Sequence, residues 1–464
     1  MEKLRWLSRS TPVAATCPCC GNDRDNAVVL QALHWMPERG MLDLARCPRC
    51  ASAFFPDIAA HVDYPSSGQS LDDPEFVLLL HHHLELVSGL DWKVPLLEQL
   101  PFDRFASVLE IGCNVGVALD YCRAAWGADV VGLEPSAYGL GGAKLLGLPI
   151  YQRLLSDAPE LGDRRFDLVY ATSVLEHAAD PIALLEAMRQ RLTRDGVLLL
   201  TTPRAEILTR ETRPGDLYAT LSAGARRFIP SGSALLDMVQ RSGFSHVRAS
   251  SSGDSHVVIA SDAPVERPKR AKPAERVARY YRARTRDRFA DPRVELGFHI
   301  DAYAWSVKIG REIDAAELVR RIDVLLRGRF GLTLARPLEV PPLLSACSTF
   351  FDFGRVVPYG LPNYLRAQAR VLRPIAPVAA ATFEALAAVV CAHGLRVDFQ
   401  SLSGYREVLD EALAAVRAAP ALSKTGAALR EAAEAAIALV PELSASRLAA
   451  RPSRERAPIS LRPF

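Results

Sequence analysis

The chain lacks a dominant charge. Its 56 Lys/Arg and 53 Asp/Glu residues leave a net charge of +3 over 464 residues, which argues against nucleic acid as the bulk partner. Long apolar runs are scarce as well. Met1 to Cys17 holds no apolar core of signal-peptide length. The richest apolar stretch, Ile375 to Ala392, is alanine-rich and carries Glu384, so it predicts a packed helix rather than a membrane span. The nine cysteines, several in Cys-x-x-Cys pairs, predict metal binding in a reducing cytoplasm rather than a disulfide framework. No fixed internal period is present, which excludes a simple repeat array. Nor is there a G-x-G-x-x-G fingerprint, so no tight pyrophosphate cradle of the dinucleotide kind is spelled out. With 49% hydrophobic residues, the chain can still build sizeable cores, enough for two or three domains.

What stands in place of that fingerprint is Phe105-Ala-Ser-Val-Leu-Glu-Ile-Gly-Cys-Asn-Val-Gly116, an apolar run ending in Glu110 followed at once by a turn with Gly112 and Gly116. A second acid, Glu134, closes Asp129-Val-Val-Gly-Leu-Glu134. Strand, glycine turn, helix, strand and acid is the order of a nucleotide-binding βαβ unit, in which glycines admit a ligand where a Cβ would collide and the second acid takes the ribose diol. Glu110 would repel a pyrophosphate but suits a ligand carrying an ammonium and a sulfonium. On this segment alone, an ordinary strand-to-helix turn explains the glycines too. Downstream, Phe166 to Ala171 predicts a buried strand, and a helix follows with Asp180 as N-cap and Pro181 at its first position. Asp195-Gly196 predicts a turn, and Val197 to Thr202 the next strand, stopped by Pro203.

The four cysteines of Cys17-Pro-Cys-Cys20 and Cys47-Pro-Arg-Cys50 match two knuckles that place four thiolates around one structural Zn²⁺. Cys19 is expected to stay outside that set. A redox pair or scattered thiols would not explain two matching Cys-Pro-x-Cys units.

Val108 to Gly116, Gly132-Leu-Glu-Pro-Ser136, Phe166-Asp-Leu-Val169, Val174-Leu-Glu-His177 with Asp180-Pro181, and Gly196 to Pro203 resemble the class I S-adenosylmethionine-dependent methyltransferase family. Asn114 stands where that family usually has a third glycine. The resemblance implies an α/β, Rossmann-like seven-stranded methyltransferase sheet over 101–262, finished by an antiparallel hairpin near Ser245–Ser250 and Ser255–Ala260. It implies S-adenosylmethionine as cofactor, held by Glu110, Gly112, Cys113, Asn114, Gly116, Glu134, Pro135 and Ser136, with Asp157 at the adenine and Thr172, Ser173 and Val174 at the methyl end. His177 is the nearest candidate base, against the alternative of a histidine that only shapes the pocket. A zinc ribbon ahead of such a domain resembles a bacterial subgroup that includes sugar C-methyltransferases. That likeness implies a small-molecule or glycan acceptor, such as a sugar or surface-polysaccharide precursor, and brings Tyr64 and the histidines 81–83 forward, although a wetted helix face explains the histidines more simply.

The remaining segments are a ribbon over 1–60, a helical connector over 61–100 that could cap the acceptor, a basic linker and helix over 263–293, a C-terminal α-helical domain over 294–450 and a frayed tail over 451–464. Arg204, Arg210, Arg213, Tyr218, Arg226 and Arg227 fall where the family builds its acceptor lid and could read a phosphate or carboxylate. Glu266 to Arg293 holds 11 Lys/Arg against 4 Asp/Glu with Tyr280 and Tyr281 among them, which suits either a solvated face or contact with a membrane surface. Two other classes compete: a non-catalytic scaffold that presents ribbon and tail to partners, and a nicotinamide-dependent oxidoreductase.

Overall fold

The computed structural model describes residues 3–61, 70–87, 89–100, 105–265, 272–311, 315–399, 401–440, 443 and 462–463. Two compact units divide the chain: Met1–Gln69, Pro95–Ala271 and Arg454–Phe464 form the first, and Ser70–Val94 with Lys272–Ser453 the second. The stretch 61–100, expected as one connector, is therefore shared between them.

The first unit opens with β1 (Leu4–Pro12), β2 (Ala27–Leu33), β3 (Met41–Arg46) and β4 (Ala53–Phe54). These pair antiparallel in sequence order. The central sheet follows with β5 (Ser107–Ile111), β6 (Asp129–Leu133), β7 (Ile150–Tyr151), β8 (Phe166–Thr172) and β9 (Leu192–Pro203). Then come β10 (Phe228–Ile229), β11 (His246–Ser252), β12 (Ser255–Ser261) and the short β13 (Arg462–Pro463). The central order is β13-β11-β12-β9-β8-β5-β6-β7. The five strands from β9 to β7 are parallel, and β12 and β11 return antiparallel. This is the expected doubly wound sheet of seven strands, with β13 added at its edge.

Strands β5, β6 and β8 are nearly continuous apolar runs because helices cover both faces of a parallel sheet. On one face, Leu185 and Met188 of the helix Pro181–Gln190 and Leu235, Met238 and Val239 of the helix Gly232–Arg241 meet Leu109, Val131, Val169 and Leu198. Burying one such side chain is worth roughly 1.5–3 kcal/mol. Asp180 caps the first of these helices by accepting from Ile182 N and Ala183 N. One expectation fails locally. Asp195-Gly196 makes no turn ahead of the strand but lies inside β9, whose pairing with β8 shifts register between Phe166 and Leu168. A Cβ on Gly196 would stand 2.9 Å from Phe166 O, so glycine permits a bulge in place of a break.

The second unit is helical. Its centre is the helix Pro377–Val397, long and apolar enough by length and composition to cross a membrane yet largely buried here, against helices Leu361–Leu372, Tyr405–Ala418 and Lys424–Ala438. On that central helix the buried Glu384 accepts from Arg366 Nε at 3.2 Å and Arg373 Nη2 at 2.8 Å. A second buried pair lies nearby in the same unit. Arg293, 1% exposed, donates to Glu85 Oε1 at 2.7 Å and to Gly354 O, and Gly360 N donates to Glu85 Oε2.

This unit corrects two sequence expectations. His81 and His82 do not form a wetted face. Both are buried, His81 Nε2 lying 3.0 Å from Asp291 and His82 Nε2 3.1 Å from Ser401 O, because the helix Pro74–His82 turns that side into the helical core. Tyr280 and Tyr281 are buried as well and pack with Phe298. They therefore offer no aromatic anchor for a membrane surface. Residues 266–271 of the basic run lie outside the described residues.

Candidate functional site

Strand β5 connects onward to β6 and β7 on one side, while β8 and β9 lie on the other. The crevice outside the carboxyl ends of β5 and β8 is thus a topological switch point, where open α/β sheets collect ligands. Gly112, Asn114 and Gly116 all take left-handed backbone there, with φ of 69°, 52° and 76°. Asn tolerates that region better than most residues, which explains how Asn114 replaces a glycine; its Oδ1 also accepts from Val115 N at 2.7 Å. A Cβ on Gly112 would stand 2.5 Å from Val174 Cγ2, so the turn after β5 and the turn after β8 approach as closely as a missing side chain permits.

Glu134 sits at the end of β6, half-buried. Its Oε2 accepts from Asn114 N at 2.9 Å and its Oε1 from Ser136 N at 3.0 Å. Each carboxylate oxygen has about two acceptor positions, so one remains on each oxygen for a vicinal diol. The following helix, Ala137–Leu146, is lined with glycine on this side. A Cβ on Gly139 would stand 2.8 Å from Glu134 Cβ, and one on Gly142 would overlap the backbone of Val115. Sequence reasoning missed these two, although Gly139-Leu-Gly-Gly142 was a visible signal. Glu110 is fully buried near the end of β5. Cys113 is buried against Gly132, and Pro135 O accepts from Gln152 Nε2. A cationic adenosine cofactor fits this set: buried acid, open glycine turn and an oriented ribose acceptor.

At the other lip of the crevice, Thr172 and Val174 are partly exposed and Ser173 exposed, with Ser173 at φ 54°. His177 Nδ1 lies 2.8 Å from Ala225 O. A carbonyl only accepts, so Nδ1 carries the proton and Nε2 the basic lone pair. Glu176, fully buried, accepts from Thr202 Oγ1 at 2.9 Å and faces Arg226 Nε at 3.3 Å. Asp157 is exposed in a 3₁₀ turn (Leu155–Asp157) that follows the two-residue β7. Tyr64 lies outside the described residues.

Most of the lid cations are engaged within the protein. Arg210 donates to Leu7 O and stacks over Trp6, Arg227 Nε donates to His177 O, Arg204 pairs with Glu206, and Lys3 lies over the Tyr218 ring. Arg213 is exposed.

Cys17, Cys20, Cys47 and Cys50 bring their sulfurs within 4.8 Å of one another. The two knuckles repeat each other. Gly21 N donates to Cys17 O and Ala51 N to Cys47 O, each at 2.9 Å, and both residues are left-handed. Burial pushes the Cys20 thiol up to about 11, and the Cys17 thiol together with burial pushes Cys50 up to about 12. Thiols raised in this way become thiolates at neutral pH only around a cation. Cys19 is buried beside Cys17 and joins the hydrophobic core.

Residues 82–249 match the family described as a methyltransferase domain. Among curated proteins, the chain is 29% identical over 163 residues to a ubiquinone biosynthesis O-methyltransferase of Cereibacter sphaeroides, covering 32% of this chain and 63% of that protein. It is 34% identical over 146 residues to a tRNA U34 carboxymethyltransferase of Campylobacter lari, covering 30% and 49%. The chain thus spans less than two thirds of the length of these relatives. Among solved structures, an S-adenosylmethionine dependent methyltransferase from Mesorhizobium loti matches at TM-score 0.31 and 20% identity, over 37% of this chain and 99% of that one. Human N-acetylserotonin methyltransferase in complex with SAM matches at TM-score 0.34 and 14% identity, over 41% and 56%.

Proposed function

We propose that this chain is an S-adenosylmethionine-dependent methyltransferase acting on an oxygen or carbon of a small molecule or glycan. The observation that carries the reading is Glu134: its two oxygens are oriented by Asn114 N and Ser136 N beside a left-handed glycine turn, ready for both hydroxyls of a ribose. In this reading Glu110 and the turn backbone receive the methionine end, and Thr172, Ser173 and Val174 border the methyl. When bound, the cofactor supplies an electrophilic methyl on a sulfonium. The protein's share is to hold nucleophile and methyl in line in a dry crevice. His177 is the candidate base, its Nε2 lone pair directed by the Nδ1 bond to Ala225 O, taking the proton of an acceptor hydroxyl or carbon acid.

Titration calorimetry tests the cofactor assignment. S-adenosylmethionine should bind, and Glu134→Ala should weaken it at least tenfold, since one charge-assisted hydrogen bond is worth about 1.5–3 kcal/mol. Unchanged affinity would sink the ribose assignment, and absence of binding by the unsubstituted protein would favour the scaffold reading. The acceptor class rests on the order of cysteine knuckles and methyltransferase domain, whereas the curated relatives are named for ubiquinone biosynthesis and tRNA. Mass spectrometry of glycans, metabolites and tRNA from cells with and without the protein should find the missing methyl in the glycan or metabolite fraction; a loss confined to tRNA would overturn that choice.

The four cysteines are proposed to hold one structural Zn²⁺ with no open position for substrate. Elemental analysis of the purified chain should give one zinc per chain, lost in Cys17→Ser. A metal-free folded chain would reject it.

A further inference from the structure

Strand β10 follows the central sheet's β9 in sequence but pairs elsewhere, with Phe228 opposite Phe54 and Ile229 opposite Ala53 of β4. It thereby completes the cysteine-bearing sheet. The short segment 225–231 is consequently held from two sides. On one side, His177 Nδ1 donates to Ala225 O at 2.8 Å, Arg227 N donates to Glu176 O at 2.8 Å, and Arg227 Nε donates to His177 O at 3.1 Å. On the other, Phe55 N donates to Arg227 O at 2.9 Å, Ser231 N donates to Ser52 Oγ at 3.0 Å, and Ser231 Oγ donates to Cys50 O at 2.5 Å. Ser52 in turn closes the second knuckle, its carbonyl accepting from Cys47 N.

Packing follows the same route. Cys17, Cys47 and Phe54 share one apolar cluster with Leu175, Phe228 and Leu235. Leu30, Leu44 and Phe55 share a second with Ala205, Leu217 and Ala223. The His34 ring occupies the space a Cβ on Gly224 would need. The cysteine sheet is therefore built into the wall that carries the 175–177 turn.

We infer that the cysteine knuckles position His177 through β10. The knuckles fix Ser52 and the Cys50 carbonyl, these fix Ser231 and the register of β10, and β10 fixes Ala225 O, which selects the Nδ1–H tautomer of His177 and directs Nε2. Ser52 and Ser231 are positioning residues in this scheme. The inference rests on the methyltransferase reading, in which His177 borders the acceptor. Loss of that acceptor removes the bond that favours Nδ1–H and shifts the population toward the Nε2–H tautomer, because the hydrogen bond at one nitrogen decides the other.

The test uses the full-length protein labelled with ¹⁵N-histidine, with His177 assigned by the spectrum of His177→Gln. Long-range ¹H–¹⁵N spectra of the zinc-loaded chain should show His177 as a single Nδ1–H tautomer. Chelation of the zinc, and separately Ser52→Ala, should shift its two ¹⁵N resonances toward each other as the tautomers mix, with S-adenosylmethionine affinity unchanged. Should chelation unfold the first unit, Ser52→Ala alone decides, since all four sulfurs remain in place. A His177 that stays wholly Nδ1–H in Ser52→Ala overturns the inference. Failure of every sample to bind S-adenosylmethionine would instead sink the methyltransferase reading, and the tautomer comparison would still report on the coupling.

Discussion

Gly21 and Ala51 occupy equivalent places in the two knuckles, yet only one is glycine. At φ 59° Ala51 carries the steric penalty of left-handed backbone, about 1–2 kcal/mol for a residue with a Cβ. Part of that is offset by the larger unfolded-state freedom of glycine, about 0.4–1 kcal/mol. Ala51→Gly should therefore stabilise the first unit by up to about 1.6 kcal/mol, read as a higher denaturation midpoint; a lower midpoint would show that Ala51 is unstrained. Residues whose chemistry depends on local spacing were legible in this way. The four cysteines, Glu134 and the glycine turn each announce themselves within a few positions. The hold on His177 was not legible, because Ala225 lies 48 residues away and contributes only a backbone oxygen, which any residue type supplies.

Among the elements, the parallel strands were readable from their apolar runs, and the N-cap at Asp180 from its Asp-Pro pair. The destination of β10 was not, since two residues carry no pattern that distinguishes one sheet from another. The wall around it also contains a pH-sensitive contact. Burial alone would raise the Glu206 carboxyl, but the hydrogen bond from His256 and the amide of Gly232 outweigh it and bring it down to about 2. A carboxyl lowered on folding adds stability above its ordinary value, about 4.5, and that contribution is lost as pH falls toward about 2. Glu206 is 39% exposed at its side chain, so solvent screening keeps the effect modest. His256→Phe should move the acid-unfolding midpoint to higher pH, measured by circular dichroism along a pH titration. An unmoved midpoint would remove His256 as the cause.

At the scale of the whole molecule, the helical second unit was foreseen as helical, but its internal charges were not. Buried ion pairs join partners far apart in sequence, as Glu85 and Arg293 do. Removing one partner strands the other, which costs about 3–5 kcal/mol, whereas replacing both with apolar residues of similar size is often far milder. Arg293→Met should accordingly lower the stability of the second unit by several kcal/mol in denaturant unfolding, and Glu85→Leu with Arg293→Met should recover much of the loss. Equal stability for the single and double variants would show that the pair is not coupled. The chain path through the two units carries a consequence for synthesis. Ser70–Val94 belongs with a unit whose other part begins only at Lys272. At roughly 5–20 residues per second on the ribosome, the apolar face of Phe76, Leu78 and Leu80 waits roughly 10–40 s for its partners. A fragment ending near 271 would keep that face exposed for good. Expression of the methyltransferase half alone therefore calls for excision of 70–94, not simple truncation.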